Sequence, residues 1–334
     1  MQTKMSLHCG ITTSFVLSTI MGLLIMNPAA AWDREHAKTF ATLPATAGNP
    51  EALTADSAGY LYVSSMFSGD IHKVTPTGDV EQSISVIPSS GLLLDLAFHP
   101  ISGELLVVDL GAHALLSVDP DSGTAALFSE FPQTSGPNMM TFDALGRTYV
   151  SDSYQGIIWQ IEPQGGTPRV WLQHELLATK NYPGFGANGI AFNNDASRMY
   201  VANTGEDTIL EVPVDTNGGA GTPTVLAHSI NGPDGLIVDA RNNILVASNH
   251  GNEIVAIDPS GTAVAVLGDF EGISKSGTVK GLLSPSDLVL TKNSIYVTNF
   301  AIDASVFGLP QHATSAYTRL VRRHTIARIK LKLE

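Results

Sequence analysis

Six segments of this 334-residue chain follow one pattern, and that repetition restricts the fold more than any other feature. They open at Glu51-Ala-Leu-Thr-Ala-Asp56, Leu94-Asp-Leu-Ala-Phe-His99, Asn138-Met-Met-Thr-Phe-Asp143, Asn188-Gly-Ile-Ala-Phe-Asn193, Asp234-Gly-Leu-Ile-Val-Asp239 and Ser286-Asp-Leu-Val-Leu-Thr291, about 43 to 52 residues apart. Each then passes through a turn into a β-rich run, as in Gly146-Arg-Thr-Tyr-Val-Ser-Asp152 and Asn243-Ile-Leu-Val-Ala-Ser-Asn249, and then through a second turn into a short apolar strand such as Ile157–Ile161 or Ile254–Ile257. Short strands and turns at this period, with little amphipathic helix signal, predict four-stranded blades, and six copies predict an all-β six-bladed β-propeller. The last copy has no room for a fourth strand, whereas Lys38 to Leu43 is strand-like and has no blade of its own. This N-terminal run is therefore expected to complete the last blade and close the ring, leaving no long open sheet edge.

The first residue of each copy begins the strand that lines the propeller axis. In four copies that slot holds a metal-friendly carboxylate or amide oxygen: Glu51, Asn138, Asn188 and Asp234. Rotational symmetry brings these four to one end of the channel. Asp95 and Asp287 lie one residue after the slot and, with strictly alternating strand side chains, are expected to face elsewhere. Two carboxylates packed together without a cation would repel, and a divalent ion balances them. An all-oxygen set suits a hard ion: Ca²⁺ is favoured, with Mn²⁺ or Mg²⁺ as alternatives and Zn²⁺ less suited because no His or Cys occupies the slot. The competing reading is that the four merely cap strands at the channel mouth.

Residues 1–31 read as an export leader: Lys4, an apolar stretch from Ile11 to Met26, then Pro28 and Ala29-Ala-Ala31 before Trp32. Residues 32–334 would then form the single propeller domain, secreted or periplasmic, monomeric, and free of the membrane once the leader is cleaved. Cys9, the one cysteine, lies in that leader, so no disulfide is expected in the remainder. Asp and Glu number 31 against 18 Lys and Arg, which argues against a nucleic-acid partner or an anionic membrane surface. The basic residues Arg328, Lys330 and Lys332 near the C-terminus are read as the solvent face of a closing strand.

The motif Pro233-Asp-Gly-Leu-Ile-Val-Asp239 with Asn243-Ile-Leu-Val-Ala247, together with Asn188-Gly-Ile190, Asn138 ahead of Asp143-Ala-Leu-Gly146, and Pro50-Glu51, resembles the SMP-30/gluconolactonase/luciferin-regenerating-enzyme family across nearly the whole of residues 32–334. The resemblance implies that Glu51, Asn138, Asn188 and Asp234 bind one divalent cation, and that the substrate is a small-molecule lactone or related ester. Asp234 would act as both ligand and proton acceptor, Glu51 would balance charge, and the two Asn would set geometry. Sugar-lactone members often carry an Arg two places before the blade-three Asn and an acid just after it. Gly136 and Met139 stand there instead.

Met139 and Met140, with Tyr182 and Phe185 before Asn188, suggest a pocket suited to a hydrophobic lactone or ester. A second repeated series, Asp109, Asp152, Asn203, Asn249 and Asn299 with Ser65, either rings that pocket or braces strand ends; Asp152 and Asn203 are the members to examine first. His250 is a further acid/base candidate. Segments 268–285 and 300–324 are long for propeller connections and are candidates for a lid or for surface decoration. The rival functions are a non-enzymatic NHL-like binding propeller and a lyase resembling virginiamycin B lyase, the latter needing a His at the axis.

Overall fold

In the computed structural model the described residues are 35–181, 183–291, 293–303 and 315–331. Residues 1–34, which hold the expected export leader, lie outside them, as do Tyr182, Lys292 and the last three residues. The strands form six four-stranded antiparallel sheets and one two-stranded hairpin, with almost no helix, which is the six-bladed β-propeller that the repeat predicts. Blades one to five are meanders whose inner strands are Asn49–Ala55, Leu93–Phe98, Pro137–Phe142, Ala187–Phe192 and Pro233–Val238. Blade six runs outward from Pro285–Thr291 through Ser294–Asn299 and Thr325–Lys330, and its outermost strand is Ala37–Thr42 from the N-terminal side, paired from Ala37 opposite Ile329 to Thr42 opposite Thr325. The ring is closed as expected.

Each blade is buried on both faces by its neighbours, so its second strand is buried along most of its length, and in blade two it reads as an unbroken apolar run. Leu105, Leu106, Val107 and Val108 are all fully buried. The core is distributed among the blade junctions: Ile71 and Ile84 of blade one pack with Leu93, Leu105 and Val107 of blade two, and Tyr200 and Ile209 of blade four pack with Leu236, Ile244 and Val246 of blade five. At the end of the inner strand a repeated Asp closes the turn. Asp143 Oδ1 accepts from the amides of Leu145 and Arg147 at 3.0 and 2.9 Å, and Asp239 Oδ1 accepts from Arg241 and Asn243 at 2.8 Å each.

Every inner strand carries the same irregularity. Its pairing with the second strand skips one residue between Pro50 and Leu53, Leu93 and Leu96, Pro137 and Met140, Ala187 and Ile190, Pro233 and Leu236, and Pro285 and Leu288. Three residues on the inner strand thus span two on its neighbour, a β-bulge in which side-chain alternation fails. The bulge contains the slot residue and the residue after it. In three blades a hydroxyl from the second strand takes up an amide that the bulge displaces: Ser64 Oγ accepts from Ala52, Ser151 Oγ from Met139 and Thr298 Oγ1 from Asp287, at 3.0, 3.0 and 2.9 Å.

The segment 268–285 contains a hairpin, Phe270–Ile273 with Val279–Gly281, packed at the outer strand of blade six. Thr39 Oγ1 donates to the Val279 carbonyl at 3.3 Å, Gly268 N donates to Glu35 O at 2.9 Å, and the Phe270 and Tyr317 rings lie 4.9 Å apart. Residues 304–314 of the second long segment lie outside the described residues. No helix among the described residues is long and apolar enough to cross a membrane.

Candidate metal centre

The four slot residues are buried side chains at the start of inner strands in blades one, three, four and five, with Glu51, Asn138, Asn188 and Asp234 only 4 to 7% exposed. Asn188 Nδ2 donates to Asp234 Oδ1 at 2.7 Å, and Glu51 carries the like-charge influence of Asp234. Three buried oxygens in this group have no hydrogen-bond partner: Glu51 Oε2, Asn138 Oδ1 and Asn188 Oδ1. Buried polar atoms are rarely left in this condition, and orphaned acceptors at the same position of three inner strands match what a hard, oxygen-seeking cation requires.

The amide orientations have a cause. Ser153 Oγ gives its only proton to the Ala187 carbonyl of the next blade at 2.6 Å, so toward Asn138 it can only accept, and it does so from Nδ2 at 3.0 Å. Thr204 Oγ1 repeats the arrangement one blade on, donating to Pro233 O at 2.7 Å and accepting from Asn188 Nδ2 at 3.0 Å. Both amide nitrogens are thereby fixed on hydroxyls and both amide oxygens are turned the other way. In blade five, Asn249 Nδ2 donates to Asp234 Oδ2 at 3.0 Å. Ser153, Thr204 and Asn249 thus occupy equivalent positions, each bonded to its own blade's slot residue.

This equivalence corrects the second repeated series. Opposite Pro137 stands Asp152 and opposite Ala187 stands Asn203, but opposite Pro233 stands Ser248, so Asn249 belongs one place later, with Ser153 and Thr204. Asp152 and Asn203 are fully buried and their polar atoms are engaged locally. Asp152 accepts from the amides of Gly136, Tyr154 and Gln155, from Gln155 Nε2 and from Trp159 Nε1. Asn203 donates to the carbonyls of Leu176 and Ala178 and accepts from Glu206 N.

Asp95 and Asp287 also depart from expectation. Both are buried in the channel, and both line a cavity of about 460 Å³ that continues along it beside Leu53 and Met140. Glu51 feels both charges, because the bulge aims slot and following residue toward the same axis. Burial first, then the charges of Asp234, Asp287 and Asp95, hold the Glu51 carboxyl well above its ordinary range. Burial raises Asp234 to about 7 against the hydrogen bonds from Asn249 and Asn188 that favour its charged form. Asp95 is raised to about 7 by burial, and Asp287 is raised well above its usual value by burial and then by Asp95.

Of the pocket candidates, Met139 and Met140 are buried, Met139 among Leu93, Leu96 and Ala52 of the blade-one and blade-two core. Phe185 is half-buried and its ring lies 5.7 Å from that of Tyr154, a residue the sequence reading did not single out. Tyr154 is about half exposed, and its ring lies over Gly136, where a Cβ would come within 2.5 Å of it. His250 packs its ring on Gly232, two residues before Asp234. Elsewhere, His36, Asp269 and Glu271 bring ligand-type atoms within 4.8 Å of one another at the surface, where His36 and Glu271 form an exposed pair at 3.3 Å.

Among solved structures, the fold is similar to a calcium-binding protein, regucalcin, from Agrobacterium tumefaciens (16% identity, 90% of this chain and 96% of that one, TM-score 0.62). It is also similar to a gluconolactonase from Xanthomonas campestris (14%, 90% and 96%, TM-score 0.61) and, less closely, to virginiamycin B lyase from Staphylococcus aureus (14%, 78% and 80%, TM-score 0.55). No curated protein matches by sequence. The SMP-30/gluconolactonase/LRE-like region model matches residues 49–268, a span holding all four slot residues together with Ser153, Thr204 and Asn249, and the chain belongs to that family.

Proposed function

We propose that this protein is an exported, monomeric hydrolase of lactones or related carboxylic esters that depends on a divalent cation, Ca²⁺ in the first instance, held by Glu51, Asn138, Asn188 and Asp234. The observation that carries the reading is that the buried slot residues Glu51, Asn138 and Asn188 each keep an oxygen without a hydrogen-bond partner, with Asn188 bonded to the Asp234 carboxylate. The family supports lactone chemistry, and the similarity to a calcium-binding regucalcin supports the choice of ion. The leader-like residues 4–31 are the basis for export.

A divalent cation bound there would polarise the ester carbonyl and offset the two carboxylates. The chain's own groups do the rest. Ser153 and Thr204 hold both amides with oxygen inward, so the centre is organised before substrate arrives. Asn249 and Asn188 each engage one oxygen of Asp234, fixing the carboxylate plane. Asp234 takes a proton from the attacking water and delivers it to the ring oxygen as the acyl–oxygen bond breaks, so hydrolysis consumes one water and yields the hydroxy acid. Tyr154 and Phe185 pair their rings at the start of blades three and four, just ahead of the strands that carry Asn138 and Asn188. With Gly136 covered by the Tyr154 ring, this pair favours a substrate with an apolar or aromatic body over a polyhydroxylated sugar.

The test is a panel of aliphatic, aromatic and sugar lactones and simple esters, assayed with Ca²⁺, Mn²⁺ or EDTA, beside Asp234→Ala. Turnover lost on chelation, restored by one ion and absent in the variant is the expected result. Turnover indifferent to both, or a folded cation-binding protein that hydrolyses nothing, would defeat the hydrolase reading.

A further inference from the structure

Blades two and six place no ligand in the slot, which holds Leu94 and Ser286 there, yet both carry an acid immediately after it. We propose that Asp95 and Asp287 are positioning residues for the cation centre, each fixing the bulge that carries the next blade's ligand and adding negative charge to the channel. The inference rests on the metal-centre reading above.

The geometry is the same at both junctions. Asp287 Oδ2 accepts from Leu53 N at 3.0 Å, two residues beyond Glu51, and Asp95 Oδ2 accepts from Met140 N at 2.6 Å, two residues beyond Asn138. These bonds cross from blade six to blade one and from blade two to blade three. They serve amides next to the bulge, whose ladder pairing is displaced. At the junction of blades four and five the equivalent position is Gly189, where the backbones approach so closely that a Cβ would sit 2.3 Å from Asp234 O and 2.8 Å from Leu236 N. The same amide position is thus met by direct backbone approach in one place and by a reaching carboxylate in two others.

Each carboxylate also takes the amide that follows it, Asp95 Oδ1 from Leu96 N at 2.8 Å and Asp287 from Leu288 N, so an acid supplies two acceptors where Asn would supply one. Together with Glu51 and Asp234 the two acids make four buried carboxylates in one channel, and none of the ion pairs among the described residues involves any of them. Such repulsion is costly unless a cation is the intended neighbour. Asp95 and Asp287 therefore add to cation affinity through their charge, while their Oδ2 atoms keep Asn138 and Glu51 in register.

The experiment compares Asp95→Asn and Asp287→Asn, which keep an acceptor oxygen and remove the charge, with Asp95→Ala and Asp287→Ala, which remove both. Calcium affinity of EDTA-stripped protein is measured by titration calorimetry, and metal-free stability by urea unfolding. Each Asn variant is expected to bind calcium about tenfold more weakly, the order expected for one unit charge acting on a divalent ion across a partly screened channel, and to lose less metal-free stability than the matching Ala variant. The Ala variants are expected to lose affinity further and also to lose stability. Asn variants that bind calcium as tightly as wild type would overturn the inference while leaving the centre intact. Wild-type protein that binds no divalent cation would overturn both.

Discussion

The hydroxyl relay makes the sharpest test of the centre. Replacing Thr204 by Val preserves shape and removes two hydrogen bonds, the 3.0 Å bond from Asn188 and the 2.7 Å bond to the Pro233 carbonyl. Two such bonds contribute about 1 kcal/mol each, and stranding the buried carbonyl adds a further share, so unfolding free energy should fall by about 2–3 kcal/mol. The effect on the cation is separate. Without Thr204, Asn188 Nδ2 is held only by Asp234 Oδ1 at 2.7 Å, and a cation competes for that same carboxylate. Losing about 1 kcal/mol of preference for the oxygen-inward amide should raise the calcium Kd about fivefold. Ser153→Ala should do the same through Asn138, and the double variant should lose about 30-fold if the two amides are set independently. Titration calorimetry on EDTA-stripped protein reads the affinity, and urea midpoints read the stability. If stability falls as stated while calcium affinity stays within about twofold of wild type, the hydroxyls do not orient the ligands and the reasoning fails.

Three further outcomes are expected. In metal-free protein Glu51 and Asp287 are raised well above ordinary values and Asp95 and Asp234 to about 7, whereas carboxyls in the unfolded chain titrate near 4. The folded state therefore holds protons that the unfolded state releases. Their stabilising effect is complete below about pH 4 and is lost as pH rises through about 7 and, for Glu51 and Asp287, beyond, so the Tm in EDTA should drop as pH rises above about 4 while the gain from added Ca²⁺ grows. A flat profile in EDTA would contradict the burial of these groups. Gly189→Ala should cost about 2–4 kcal/mol in urea unfolding, because the new methyl meets the Asp234 carbonyl at 2.3 Å and neither backbone can retreat easily. Asp152→Ala should cost about 3–5 kcal/mol by stranding buried donors from Gly136, Gln155 and Trp159, and indole fluorescence from Trp159 should report the change before global unfolding.

The blade count, the ring closure by Lys38 to Leu43 and the four slot residues were all legible, because each depends on periodicity and periodicity survives divergence. What was not legible turned on a single inserted residue per inner strand. Strict alternation sends Asp95 and Asp287 away from the axis, and the bulges between Leu93 and Leu96 and between Pro285 and Leu288 bring them back. The same blindness to pairing misplaced Asn249, which looks like a partner of Asp152 until the ladder sets Ser248 opposite Pro233. A signal was present. Blades three, four and five, whose slot residues are hydrogen-bonded by the second member, carry the pairs Asp152-Ser153, Asn203-Thr204 and Ser248-Asn249, whereas blades one, two and six carry Ser65-Met66, Asp109-Leu110 and Asn299-Phe300, each with an apolar second member. The Tyr154 and Phe185 pair was only half visible, since nothing in the sequence says that a ring eighteen residues downstream fills the space above Gly136.

The strand Ala37–Thr42 finds its place only beside Thr325–Lys330, almost the whole chain away. A nascent polypeptide can therefore stack its early blades as they emerge, but it cannot latch until Thr325–Lys330 is synthesised. Ala37–Thr42 waits for that partner, and removing either strand would leave a circle with a gap instead of a smaller closed ring.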